Sequence, residues 1–184
     1  MVLSFELFSS MEIVMANAMD KVLRQALTDG ENSQKDLFLT FHLGGEDYGI
    51  AIGNVIEIVG IQAITEVPDL PDYLKGVVNM RGVVIPVMDV RLRFSMPERP
   101  YDERTCLIII KIDEDTVGLV VDRVNEVAEI PVEQIEPAPR VRAGQVAYVM
   151  GMGKVGNTVK MLLDAKELLG SIVLPNSELA LEAE

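Results

Sequence analysis

The amino-acid sequence predicts a mainly β chain built as small barrels or a sandwich, and three observations carry that reading. From Asp36 onward apolar and polar residues alternate with a period of two, the repeat of a half-buried strand. The apolar runs are short and are punctuated by Gly, Pro and Asp, which argues against βαβ units. Finally, 49% of the 184 residues are hydrophobic and 24% are charged, enough to bury a core and incompatible with disorder as the overall state.

The chain divides into three parts. Residues 1–35 form an N-terminal extension predicted to carry one amphipathic helix. Ser9 stands three residues before Glu12, as in a capping box, and Met15, Met19, Val22, Leu23 and Ala26 make a stripe at helical spacing. Asp20 and Arg24 can pair four residues apart on the outer face, and Gly30 supplies a stop. Such a stripe needs burial, so the helix is expected to pack back on the domain that follows. That domain spans 36–170. Residues 171–184, with three acids and no base, form an acidic tail that frays or holds one weak turn from Ser177 onward.

Within the domain, Leu37, Leu39, Phe41 and Leu43 share one strand face, while Asp36, Phe38, Thr40 and His42 share the other. Gly44-Gly45-Glu46-Asp47 predicts a hairpin loop into Tyr48-Gly49-Ile50. Further strands are predicted at 55–59, 76–79, 83–90, 105–112, 116–121, 147–150 and 159–163, with Asp113-Glu114-Asp115 as a polar turn. Short helices are predicted at 71–75, where proline suits a first turn, and at 165–169. Pro137-Ala138-Pro139 marks a stiff connector, and no repeat of fixed period stands out.

Charge and residue counts narrow the chemistry. Sixteen Lys and Arg against 29 Asp and Glu leave a net charge of −13, so the positive field needed to hold a phosphate backbone is lacking and nucleic acid is not an expected partner. The longest run free of Asp, Glu, Lys and Arg, 143–153, is far short of the roughly 20 apolar residues of a membrane span. The start of the chain has no basic segment followed by an apolar run, so a cytoplasmic, soluble protein is expected. One cysteine, Cys106, makes neither an internal disulfide nor a zinc site, and one histidine, His42, excludes a histidine-rich metal centre. No cofactor is expected.

Four candidate sites follow. Gly151-Met152-Gly153-Lys154-Val155-Gly156-Asn157-Thr158 satisfies Gly-x-x-x-x-Gly, but Asn157 occupies the place of the lysine a phosphate-binding loop requires, and the residues after it suit a strand. A glycine-rich hairpin turn explains the segment; a small-ligand barrel or an enzyme using this loop is the alternative, distinguished by nucleotide binding. His42 is the one candidate general base, with no nucleophile placed near it by local sequence, so a structural role is expected. Cys106 opens an apolar run and suits a core position, and the scattered acids, Asp89 and Asp122 among them, suit a solvated surface. The fourth site resists so plain an account. Asn79 and Gly82 tolerate a left-handed backbone, so the chain should reverse there between two apolar strands and present Arg81 on a rigid turn as a fixed fork of donors.

Around this turn the sequence resembles the CheW family of chemotaxis coupling proteins. The resemblance rests on Gly76-Val77-Val78-Asn79-Met80-Arg81-Gly82 and Pro86-Val87-Met88-Asp89-Val90-Arg91, and it extends to Asp47-Tyr48-Gly49-Ile50, Val55-Ile56-Glu57-Ile58, Gly118-Leu119-Val120-Val121-Asp122, Glu133-Gln134-Ile135-Glu136-Pro137-Ala138-Pro139 and Leu162-Leu163-Asp164. It covers about 37–169. It implies two side-by-side SH3-like five-stranded β-barrels and a non-enzymatic adaptor that binds the regulatory domain of a CheA-type histidine kinase and the cytoplasmic tip of methyl-accepting chemoreceptors, cytoplasmic and recruited to membrane-associated receptor arrays. By the same resemblance Arg81, Glu57 and Val55 fall at receptor-binding positions, and Gly76 and Val55 at kinase-binding ones, with Gly76 keeping its backbone accessible. The free protein is expected to be monomeric. The long extension before Asp36 departs from the family pattern.

Overall fold

The structure is a computed structural model in which residues 35–138 and 148–170 are described. The helix expected in the N-terminal extension, the tail 171–184, Pro139 and Ala147 lie outside the described residues. The described elements are strands β1 Leu37–Leu43, β2 Glu46–Ala51, β3 Val55–Gly60, β4 Leu74–Met80, β5 Val83–Asp89, β6 Cys106–Ile112, β7 Asp115–Val121, β8 Arg123–Glu129, β9 Ile135–Pro137, β10 Val149–Val155 and β11 Thr158–Leu163. Two short helices, α1 Val90–Arg93 and α2 Ala165–Leu169, follow β5 and β11.

The strands form two sheets, ordered β8-β1-β2-β11-β10-β9 and β3-β6-β7-β5-β4. The outer strands of the first sheet, β8 and β9, are consecutive in the chain, so one bent segment lines both its edges. The second sheet closes where Thr65, beyond β3, pairs with Val77 of β4 through N–H···O bonds of 2.8 and 2.9 Å. We call these the first and second barrels. Only β2 with β11 and β5 with β7 pair in parallel; the other ladders are antiparallel.

The same element order occurs twice. A hairpin (β1–β2), an edge strand (β3), a second hairpin (β4–β5) and α1 are followed by a hairpin (β6–β7), an edge segment (β8, β9), a second hairpin (β10–β11) and α2. The first hairpin of each run is built into the barrel completed by the other run. Bulges recur at matching places, between Leu74 and Gly76 and between Val149 and Gly151. No such repeat shows in the sequence, because the matching positions carry different side chains; Lys160 on β11 stands where β5 has Ile85.

Three apolar clusters hold this arrangement. The largest lies between the barrels and combines Leu39, Phe41, Leu43, Tyr48 and Ile50 of the first with Ile108, Ile110, Val117, Leu119 and Val121 of the second. The second barrel encloses Val78, Ile85, Val87, Leu107, Ile109 and Val120, and the first encloses Phe38, Ala128, Ile130 and Leu162. Strand β6 thus buries both faces, which is why 107–110 is a continuous apolar run and not an alternation. Burial of each such side chain contributes about 1.5–3 kcal/mol before entropy is set against it.

Three predicted elements differ, and two strands are additional. Residues 71–75 are not a helix: the chain turns over 71–73, with the Leu74 N–H donating to the Pro71 carbonyl at 2.8 Å, and Leu74 and Lys75 already belong to β4, where Leu74 lies opposite Met88. The strand expected at 83–90 ends at Asp89, whose side chain accepts from the Leu92 N–H at 3.2 Å and caps α1. The glycine-rich segment is strand through Val155, leaving only Gly156 and Asn157 as the turn. Strands β8 and β9 were not predicted. A register shift against Thr40 and Phe41 breaks the alternation of β8, and β9 is three residues ending in proline.

Candidate functional site

The reversal between β4 and β5 falls where the sequence places it, with a different division of labour. Arg81 (φ 54°) and Gly82 (φ 88°) are the two left-handed residues, as a type I′ turn demands. Asn79 stays in β4 and accepts the Gly82 N–H on its side-chain oxygen at 2.9 Å. A non-glycine residue in this conformation is disfavoured by about 1–2 kcal/mol, so Arg81 sits in a strained position on a turn that its neighbours fix.

From that turn the Arg81 Nη2 donates to Glu57 Oε1 on β3 at 2.6 Å. Arg81 is 78% exposed and Glu57 22% exposed. Two of the four residues singled out in sequence are thus brought together across an opening in the second barrel, since β3 and β4 are opposite edges of its sheet. Exposed ion pairs contribute about 0–1 kcal/mol, so this one orients a guanidinium more than it holds the barrel. Exposed apolar side chains accompany the pair in sequence: Ile56 at 47%, Val83 at 59% and Val84 at 58%. An oriented arginine with neighbouring exposed aliphatic groups is the composition of a protein-docking surface.

The other two residues lie behind that surface. Val55 is 2% exposed, opposite Ile110 in the core between the barrels. Gly76 is buried at φ 132°, and a β-carbon built on it would stand 2.0 Å from the Thr65 carbonyl oxygen. The expectation that Gly76 keeps its backbone accessible is therefore corrected. Gly76 admits the Thr65 backbone that closes the barrel, and only glycine leaves that room.

His42 enters a polar network at one end of the first barrel. Its Nδ1 lies 2.9 Å from Asp47 Oδ1, Asn125 donates to the same oxygen at 3.1 Å, and Lys160 Nζ donates to Asp47 Oδ2 at 2.5 Å. Burial opposes ionisation of Asp47, but the Lys160 ammonium, the His42 ring and the Asn125 amide outweigh it and hold the carboxyl down at about 2. Lys160 is buried, a position its place in a polar strand pattern does not announce.

The remaining sequence candidates take structural places. Cys106 is half-buried on β6 and packs against the edge of the core between the barrels. Asp89 and Asp122, expected at a solvated surface, are buried. Asp89 caps α1 and accepts the Tyr101 hydroxyl at 2.8 Å; burial and then this carboxylate raise the Tyr101 hydroxyl far above its ordinary value. Asp122 accepts from Arg91 at 2.7 Å and from the Gly44 N–H at 3.0 Å, tying the β1–β2 hairpin to α1. Acids so placed are paid for by fixed partners, which sequence spacing does not show.

Among the described residues no helix is long and apolar enough to cross a membrane, and no group of three or more His, Cys, Asp or Glu is placed to hold a metal ion. The CheW-like domain model matches residues 37–173. The chain is 41% identical over 135 residues to the chemotaxis protein CheW of Klebsiella aerogenes, covering 73% of this chain and 81% of that one. It is 30% identical over 139 residues to CheW of Helicobacter pylori, covering 76% and 84%. The crystal structure of the scaffolding protein TtCheW from Thermoanaerobacter tengcongensis superposes with a TM-score of 0.69 at 34% identity, covering 73% of this chain and 92% of that one. A family model over most of the chain, these relatives, and a solved CheW with the same fold make this chain a member of the CheW family.

Proposed function

We propose that this chain is a chemotaxis scaffold that couples chemoreceptors to a CheA-type histidine kinase by non-covalent contact, forming and breaking no covalent bond itself. Membership of the CheW family supports the adaptor role, and one observation carries the site: the exposed Arg81–Glu57 pair on a rigid turn. Arg81 and Glu57 meet the cytoplasmic tip of the receptor, with the guanidinium as a directional anchor. Val55 and Gly76 serve the kinase side from beneath. Val55 supports β3 from the core and Gly76 keeps β4 closed against Thr65, so both shape the barrel surface offered to the kinase regulatory domain. The protein acts in the cytoplasm, recruited to membrane-associated arrays, and is monomeric when free, its net charge of −13 opposing self-association.

The test replaces Arg81 with glutamate in a reconstituted receptor–kinase assay. Arg81→Glu sets a like charge against Glu57 on an exposed turn, so the fold survives and receptor-dependent kinase activation falls. Undiminished activation would remove Arg81 from the receptor contact. A pull-down with the kinase regulatory domain tests the adaptor role itself; wild-type protein that fails to retain it refutes the reading.

A further inference from the structure

At the boundary between the barrels one guanidinium meets an aromatic ring from each of them. The guanidinium of Arg93, at the end of α1, lies 4.7 Å from the ring centroid of Tyr73 and 4.7 Å from that of Tyr148. Tyr73 leads into β4 of the second barrel and Tyr148 into β10 of the first. The two tyrosines are equivalent in the repeated element order: the Tyr73 carbonyl accepts from the Asp89 N–H at 2.8 Å and the Tyr148 carbonyl from the Asp164 N–H at 2.9 Å. Arg93 Nε donates to the Leu168 carbonyl of α2 at 3.0 Å. A β-carbon on Gly170 would stand 3.0 Å from an Arg93 nitrogen, so the end of α2 is shaped around the guanidinium. Among the described residues no carboxylate forms a salt bridge with it.

These contacts are directional where the apolar core between the barrels is not. Hydrophobic burial depends on area and falls off gradually when two packed faces turn slightly against each other. A planar cation held between two rings and hydrogen-bonded to a fixed carbonyl is satisfied at one mutual orientation, and arginine does this where lysine, lacking the plane, does not. The matching position in the second run is Leu168, so that run supplies no equivalent arginine.

We propose that Arg93 is a positioning residue that fixes the angle between the two barrels, and that a partner held by one barrel is coupled through that angle to whatever the other barrel touches. The second clause rests on the adaptor reading; the first does not. The full chain carrying Cys106→Ser and spin labels at Lys111 and Lys154, one exposed site in each barrel, reports the inter-barrel distance by pulsed electron resonance. Arg93→Met, Tyr73→Leu and Tyr148→Leu broaden or shift that distance, whereas Tyr73→Phe and Tyr148→Phe, which keep the rings, restore it. In the reconstituted receptor–kinase assay Arg93→Met lowers kinase activation about ten-fold, while the Kd for the kinase regulatory domain alone changes less than about three-fold. A folded Arg93→Met variant with an unchanged distance distribution overturns the proposal, as do Phe variants that behave like the Leu ones. If Arg93→Met does not fold, the tyrosine variants decide by the same measurement. Wild-type protein that binds no kinase domain defeats the adaptor reading and leaves the distance test to judge Arg93 on its own.

Discussion

The two barrels share an order of elements and matching bulges, yet they divide polar and apolar residues in opposite ways. The first draws charge inward: buried Lys160 meets half-buried Asp47, which His42 and Asn125 also contact, at one end of the barrel. At the matching positions the second has Ile85, Thr116, Lys111 and Ile56, and Ile85 is buried among aliphatic neighbours. The second places charge outside, with Arg81 on its turn reaching Glu57 on its edge. The first keeps an exposed glutamate at the corresponding place on β8, Glu126, but has Gly156 in the turn where the arginine would stand. One backbone plan therefore supports a barrel with a partly buried ion network and another carrying a surface device, because a fold fixes positions while the side chains grafted there decide what each does.

The comparison is broken most severely by unpairing the buried lysine. Asp47→Ala leaves the Lys160 ammonium without its counter-charge, and a loss of about 3–5 kcal/mol in chemical denaturation is expected. Giving the first barrel the residues of the second, by combining Asp47→Thr with Lys160→Ile, removes both charges together and returns stability to within about 2 kcal/mol of wild type. A double variant as unstable as the single one would show that the network specifies the first barrel rather than merely filling it.

Next in size is the closure glycine. Gly76→Ala adds an atom where the Thr65 carbonyl already lies, at a left-handed φ, so about 2–4 kcal/mol is lost. Its counterpart Gly151 is not left-handed, and its built β-carbon meets the Ile135 methyl at 2.6 Å and the Glu136 oxygen at 2.9 Å; Gly151→Ala is expected to be milder. Equal losses in thermal melts would mean that crowding alone, and not backbone conformation, sets the penalty.

Acid sharpens the contrast. The folded Asp47 carboxyl, at about 2 against an ordinary 3.8, holds its proton more weakly than in the unfolded chain. Its contribution is therefore fully present above about pH 4 and is lost as the pH falls towards 2. Denaturation followed from pH 5 to 2 should be steeper in wild type than in Asp47→Thr/Lys160→Ile; parallel curves would assign the acid sensitivity to other carboxylates.

The smallest effect carries the opposite sign. Arg81→Gly relieves a left-handed arginine and forfeits only an exposed ion pair, so the protein should gain up to about 1 kcal/mol while receptor coupling falls. A destabilised Arg81→Gly would show that the pair helps hold β3 against the turn.

Much of the fold was legible because it rests on short-range rules. The alternation over 37–43, the paired glycines at 44 and 45, and the polar turn at 113 and 114, where the expected third residue Asp115 already opens β7, each specify local structure without reference to distant residues. The position of Arg81 on a reversal was legible for the same reason; its pairing with Glu57 was not, since that depends on how the barrel brings its edges together. The bulged strand β8 escaped because one extra residue shifts every later side chain to the other face. Residues 71–75 were misread because the pairing of Leu74 with β5 overrides a weak helical start.

By itself the sequence determined that this is a mainly β chain with tight reversals, a large apolar share and an arginine offered on a turn, since propensity, period and turn chemistry act over a few residues. Only the tertiary structure decided that each first hairpin belongs to the other run's barrel, that Lys160, Asp89 and Asp122 are buried, and that Arg93 lies between tyrosines of both barrels. Those outcomes depend on contacts between segments far apart in the chain, which no local pattern encodes, and they are fixed together when the shared core closes.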